Sequence, residues 1–189
     1  MKKEPIFSKV EKITYLTPAS PVVLVSTKSG SGINNVAPFG MFMVASTEPP
    51  MVLVAVSPKA DTHANIVETK EFVVAVPKPS IVDQVYAAGG KFPPEADEFT
   101  CVGLTPYSSN IVRPPKVAEC CVNLECTLEW SQSAGNHTIF CGVVVDADID
   151  RELYQEGMSP VELRGKVSEI YHLTGKAFLS GNKIVWANE

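Results

Sequence analysis

MVLVAVSPKADTHANI, residues 51 to 66, begins with six consecutive apolar residues, turns polar at Ser57 and closes on an apolar Ile66. An apolar run this short, preceded by the Pro49-Pro50 step, reads as a strand buried on both faces. The polar stretch after it is more than a Gly or Asn turn. It sets Ser57, Lys59, Asp61, Thr62 and Asn65 around the start of a helix over THANIVETK, about two turns long. The first amides of a helix have no partner within it and carry partial positive charge, so they favour an anion such as a phosphate. Thr62 adds a hydroxyl and Lys59 a full charge, while Asp61 is placed to cap the helix and Asn65 to donate from the next turn. A capped helix that holds nothing would use the same residues, so this stretch alone leaves both readings open.

Outward from this segment the pattern stays β-rich. PVVLVST (21 to 27), a polar turn KSGSG, the run NNVAPFGMFMVAST and EFVVAV (71 to 76) are all Val-rich or alternating, and two long strands are expected over 116 to 130 and 137 to 149, joined through SQSAGN as a hairpin. Strands apolar on both faces imply a barrel wall covered outside by helices or by a second subunit. Ser80 reads as the N-cap of a helix over SIVDQVYAAGG, with Asp83 three residues on and Gly89-Gly90 as its stop. KFPPEADEF reads as a loop, and the tail as irregular until a short strand at NKIVWAN.

The 189 residues suit one domain, and no linker or repeat divides them. A charged share of 20% and a net charge of −5 argue against nucleic acid as a partner. The N-terminal MKKEPIFSKVEKITYL lacks the apolar run of a secretory signal, and no stretch approaches the ~20 apolar residues of a spanning helix, so a cytoplasmic location away from membranes is expected. The five cysteines include no CxxC pair and no zinc-finger His spacing, which argues against a metal site. In KVAECCVNLECTLEW, Cys120, Val122, Leu124, Cys126, Leu128 and Trp130 fall on one phase and Asn123, Glu125 and Glu129 on the other, the pattern of a strand with a polar outer face and core thiols. KSGSGINN contains GxGxxN, but it leads into NVAPF, where Pro38 spoils a helix; a hairpin turn fits and a dinucleotide fold does not.

The residues NxAPF (Asn35, Ala37, Pro38, Phe39), the double proline of EPPMVLVAV, KADTHANI and the hairpin GNHTIFCGVV, in that order, resemble the flavin reductase-like, FMN-binding split-barrel family, closest in flavour to its flavoredoxin-type and archaeal branch. The resemblance runs from about Tyr15 to the C-terminus. It implies a mainly β fold with helical additions, a six-stranded antiparallel Greek-key barrel that forms a homodimer with FMN near the interface. It places Asn35 to Phe39 along the ribityl chain and ring edge, Ser46 and Thr47 as further polar contacts, and Ser57, Lys59, Asp61, Thr62 and Asn65 around the phosphate. His137 and Lys91 are candidate contacts to the cofactor, whereas His63 is expected to face solvent and His172 lies in an uninformative tail. The implied activity is electron transfer from NAD(P)H through FMN to a flavin, ferric or redox-protein acceptor. FMN-holding electron transfer without NAD(P)H turnover is the alternative, and a barrel that has lost its cofactor a third. The flavin ring carries such chemistry itself, so no catalytic triad is expected.

Overall fold

The structure, a computed structural model, describes residues 17–181. The chain forms strands β1 (Val23–Lys28), β2 (Asn34–Phe39), β3 (Phe42–Thr47) and β4 (Pro50–Val56), helix α1 (Asp61–Thr69) and strand β5 (Glu71–Pro77). A single 3-10 turn (Pro79–Ile81) leads into α2 (Val82–Ala87), followed by α3 (Glu98–Val102) and the short strands β6 (Pro106–Tyr107) and β7 (Lys116–Val117). The long hairpin β8 (Cys120–Ala134) and β9 (His137–Ile149), helix α4 (Pro160–Lys166) and the hairpin β10 (Ile170–Thr174) and β11 (Ala177–Ser180) complete it.

The main sheet is antiparallel, in the order β2-β1-β5-β8-β9-β4-β3. It has seven members where six were expected, because the run 34–47 bends at Gly40-Met41 and serves as both edges of the sheet. Apolar side chains of β1, β4, β5, β8 and β9 meet in one cluster, with Val25, Val54, Val74, Cys126 and Phe140 all but inaccessible. Strands far apart in the order share that interior only because the sheet curls into a barrel, and β2 and β3, which have no ladder between them, leave it split. Ile66 of α1 closes one end of the interior. Burying a side chain of that size contributes about 1.5–3 kcal/mol.

The other face of β1 and β2 carries a second core, in which Leu24 and Val36 pack against Ile81 and Val85 of the α2 region and Phe99 of α3. Burial on both faces of β1 explains its unbroken apolar sequence. Edge strand β3 is different: Met43 and Val44 are 56% and 61% exposed.

Several expectations are corrected. Ser80 is not a cap but lies inside the 3-10 turn, and α2 starts at Val82 without a side-chain cap. Asp61 occupies the first helical position of α1, with Ala60 as the uncapped N-cap. The loop expected over 91–99 ends early, since Asp97 accepts from the Thr100 amide and starts α3. The strand expected from 116 divides into β7, which pairs with β6, and β8. The tail before residue 182 holds α4, capped by a Ser159–Glu162 box, and the β10–β11 hairpin. The NKIVWAN strand lies outside the described residues.

The largest departure concerns β8, whose polar phase is the more deeply buried. Glu125 and Asn123 are 0% and 2% exposed, whereas Trp130 of the apolar phase is 46% exposed. The segment 106–117 folds over this face and brings Lys116, itself 2% exposed, to 2.8 Å from Glu125 and 2.9 Å from Asp148. Glu125 also accepts from the amides of Asn110, Ile111 and Val112. A buried charge is tolerated when paired and fully hydrogen-bonded, and both conditions hold here.

Candidate functional site

α1 begins where β4 leaves the barrel, and its sequence spacing decides what it turns inward. Thr62, Asn65 and Ile66, at i, i+3 and i+4, are its buried face. The two polar members are satisfied within the protein: Thr62 donates to Asn35 Oδ1 at 2.8 Å, Asn65 Nδ2 donates to Thr27 Oγ1 at 3.0 Å, and Thr27 in turn donates to Asn35 Oδ1 at 3.1 Å. This network pins α1 to β1 and β2, so the donors of Thr62 and Asn65 are directed into the fold and not to an outside anion.

The outer rim of the helix start is open. Lys59 is exposed and makes no ion pair with the described residues, Ser57 is half-buried with its Oγ accepting from the Lys59 amide at 3.3 Å, and the amides of Asp61 and Thr62 precede the first intrahelical bond. His63 is not a solvent-facing residue: its Nε2 lies 3.0 Å from Thr138 Oγ1 and its ring meets Phe140 edge-on at 5.1 Å. Thr138 pairs with Val56, the residue before Ser57, so β9 delivers its first residues to this rim. His137, one residue earlier, is half-buried, with Nδ1 2.7 Å from Asn136 Oδ1.

The opposite end of β2 opens into a cavity of about 440 Å³. Pro38, Phe39 and Gly40 form one wall, the end of α2 from Val85 to Gly90 another, and His172 and Phe178 of the C-terminal hairpin a third. β2 is an edge strand: the Val36 amide bonds Glu98 Oε2 at 3.0 Å, and Pro38, two residues on and in the same phase, has no N–H to leave unpaired. Burial pushes the Glu98 carboxyl above its ordinary range, against the opposing pull of its bonds to Val36 and Asn35. Gly89 lets α2 approach closely, since a Cβ there would meet the Tyr86 carbonyl oxygen at 3.3 Å and Pro38 Cγ at 3.5 Å.

The expected site residues therefore fall into three places. Ser57, Lys59 and Asp61 stand on the rim of α1, with Asn35, Thr62 and Asn65 in the buried network beneath. Pro38 and Phe39 line the cavity, Ala37 lies half-buried between Asn35 and them, and exposed Lys91 follows the lining residue Gly90. Ser46 and Thr47 are not brought to either within this chain. They pair with Met51 and Pro50, at the end of the β3–β4 hairpin remote from Ser57 and separated from it by most of β4, roughly 20 Å of strand. His172 and Phe178 are among the cavity residues that sequence reading missed, and the β10–β11 hairpin brings both to the same wall.

No group of three or more His, Cys, Asp or Glu side chains is arranged to hold a metal among the described residues, and no helix there is long and apolar enough to cross a membrane. A family model described as flavin reductase like domain matches residues 16–167. A protein of Aquifex aeolicus is 41% identical over 113 residues, which are 57% of this chain and 58% of that protein, so the match spans less than two thirds of its length. One from Halalkalibacterium halodurans is 33% identical over 161 residues, 79% of this chain and 77% of that protein. Among solved structures, nitrilotriacetate monooxygenase component B from Bacillus cereus superposes with a TM-score of 0.83 at 27% identity, over 99% of this chain and 98% of that one. Flavoredoxin of Desulfovibrio vulgaris (Miyazaki F) has the same split-barrel fold, with a TM-score of 0.83 at 21% identity over 98% and 97% of the two chains.

Proposed function

The chain belongs to the flavin reductase-like domain family, and on that premise we propose that it is an FMN-dependent oxidoreductase that passes electrons from NAD(P)H to a flavin, ferric or protein acceptor. The observation that carries the reading is the pairing of two unlike sites along one open strand edge. An anion-favouring rim lies at the α1 end of β2, and an apolar cavity lies at the other, roughly 13 Å of strand apart from Asn35 to Phe39. A molecule with a phosphate at one end and a flat ring at the other suits that arrangement, its ring resting at the Phe39 edge of the cavity and leaving open the part under β10–β11.

The residues fit such a cofactor in a particular way. Lys59, Ser57 and the first amides of α1 hold the phosphate, with His137 at the same rim. Asn35, Thr62 and Asn65 act one layer below, fixing the helix start against β2. The carbonyls of Val36 and Pro38, which point away from β1 because the Val36 amide does, accept from a ring N–H, and Phe39 gives the ring edge an apolar floor. When bound, FMN accepts a hydride and releases electrons singly or in pairs. The protein's part is to orient, to keep water off one side and to leave the cavity under the C-terminal hairpin for the second reactant.

The same reading treats the chain as one domain and as a homodimer. Met43 and Val44 on the free edge of β3 are apolar and exposed, as a surface awaiting a partner would be, and a second copy would also bring Ser46 and Thr47 to a site they do not reach alone. Resemblance to flavoredoxin keeps a second reading in play, that of an FMN-holding electron carrier with no NAD(P)H turnover of its own. Rapid mixing of the FMN-loaded protein with NADH and with NADPH separates them. Bleaching of the yellow band within seconds is the expected result, and a band stable to both nucleotides overturns the reductase reading. A protein that takes up no FMN at micromolar concentration overturns both.

A further inference from the structure

The hairpin β10–β11 lies beyond residue 167, where the family-model match ends, and it supplies a wall of the 440 Å³ cavity. Its base is built into the barrel: Ile170 is 1% exposed in the core, its carbonyl accepts from the Val22 amide at 2.8 Å, and Pro21 bridges Tyr171. Its tip is clasped more lightly, by the Lys176 ammonium 5.5 Å from the centre of the Tyr86 ring on α2. An element fixed at one end and lying along the cavity is suited to deciding what the cavity admits.

Apart from Tyr86 of the clasp, His172 is the only polar side chain among the described residues lining the cavity, the rest being apolar or glycine. Its ring is held on two sides. Nε2 lies 3.1 Å from the Gly175 carbonyl oxygen across the hairpin turn, and the ring centre lies 5.2 Å from that of Phe178. A carbonyl oxygen only accepts, so Nε2 carries the proton, and in that tautomer Nδ1 is an acceptor that bonds no side chain or backbone group among the described residues. Beside it Val22, Pro38, Val85 and Phe178 supply flat apolar walls.

We infer that β10–β11 is a selectivity element, in which His172 positions a planar, single-ring ligand bearing an N–H or O–H donor against the Pro38–Gly40 wall. Two sources share that chemistry, the carboxamide of a nicotinamide and the hydroxyl of a phenolic acceptor. The role of this ligand as second reactant rests on the flavin reading above; the cavity and its imidazole do not.

The test is calorimetric titration of the full chain, with and without saturating FMN, using p-hydroxybenzaldehyde, benzaldehyde and nicotinamide as probes. Wild-type protein is expected to bind p-hydroxybenzaldehyde better than benzaldehyde, which lacks the hydroxyl. His172→Phe keeps the ring and removes its nitrogens; it should erase that preference by weakening p-hydroxybenzaldehyde about tenfold, the size of one lost hydrogen bond. His172→Gln, which keeps an acceptor, should recover part of it, and the FMN dissociation constant should stay the same in both. Nicotinamide weakened by His172→Phe assigns the element to the electron donor, and an effect on the phenol alone assigns it to the acceptor; either supports the inference. A preference that survives His172→Phe overturns it, as does a variant that loses FMN to the same degree. Wild-type protein that binds no FMN sinks the flavin reading alone, because titration without FMN still reports on His172.

Discussion

The hydroxyl of Thr62 donates to Asn35 Oδ1 at 2.8 Å, joining the first turn of α1 to an edge strand 27 positions earlier in the chain. Because Oδ1 also accepts from Thr27, removing the Thr62 hydroxyl orphans no acceptor. Thr62→Val should therefore cost only about 0.5–1.5 kcal/mol of stability, read from the midpoint of urea unfolding. A loss above 3 kcal/mol would mean that α1 detaches when this bond is removed.

The rim residues behave differently from the buried ones. Lys59→Ala combined with Ser57→Ala should weaken FMN about tenfold and leave riboflavin nearly unchanged, because the lost charge and hydroxyl act on phosphate. Fluorescence titration of both ligands measures it. Equal weakening of the two would place the phosphate elsewhere.

Glu125 gives the fold a pH signature. Burial alone would raise its pKa, but the Lys116 ammonium and the amides of Asn110, Ile111 and Val112 outweigh it and hold the carboxyl at about 2, below its ordinary 4.5. A depressed carboxylate adds stability that is complete above the unfolded value and disappears as pH falls toward the folded one. The unfolding free energy should thus drop between pH 4.5 and about 2, and Glu125→Gln should flatten that slope by close to one proton. Lys116→Met, which leaves buried carboxylates unpaired, should cost about 3–5 kcal/mol at neutral pH.

The thiols should separate cleanly. Cys101 is exposed, whereas Cys120, Cys121, Cys126 and Cys141 are buried, and burial pushes the Cys126 thiol up to about 12. Only a thiolate attacks a disulfide reagent. Titration with an aromatic disulfide should count one reactive thiol in the native protein and five after denaturation. Rapid modification of a second thiol in the native state would point to a redox role for it.

Sequence made the strands legible wherever burial was symmetrical. β1 and β5 are apolar on both faces because a layer packs on each, and an unbroken Val-rich run records that directly; β4 carries the same run, yet only Val52, Val54 and Val56 are buried while Met51, Leu53 and Ala55 stay half-buried on a face that no second core covers. The start of α1 was equally plain, since the polar switch after Val56 has no other local explanation. What stayed hidden depended on distant partners. Nothing near Glu125 announces that Lys116 and three loop amides will neutralise it, so alternation turned the right face of β8 inward but left the polar outer face open to solvent, where the structure covers it. Thr62 and Asn65 carry the right chemistry for an outside anion, and only the register of Thr27 opposite Asn35 shows that they satisfy each other's layer instead. His172 gave no signal because, Gly175 and Phe178 apart, its neighbours in the cavity come from residues 22 to 90.

The two unpaired edges of the sheet, β2 and β3, are continuous through Gly40-Met41, where the Met41 carbonyl still accepts from Ala55. A cylinder with such a seam can widen along one line without breaking a single rung between strands. Amides facing that slit should trade hydrogen for deuterium well ahead of those in β5 and β8, and a guest of unfamiliar thickness can be seated there while the rest of the wall stays shut.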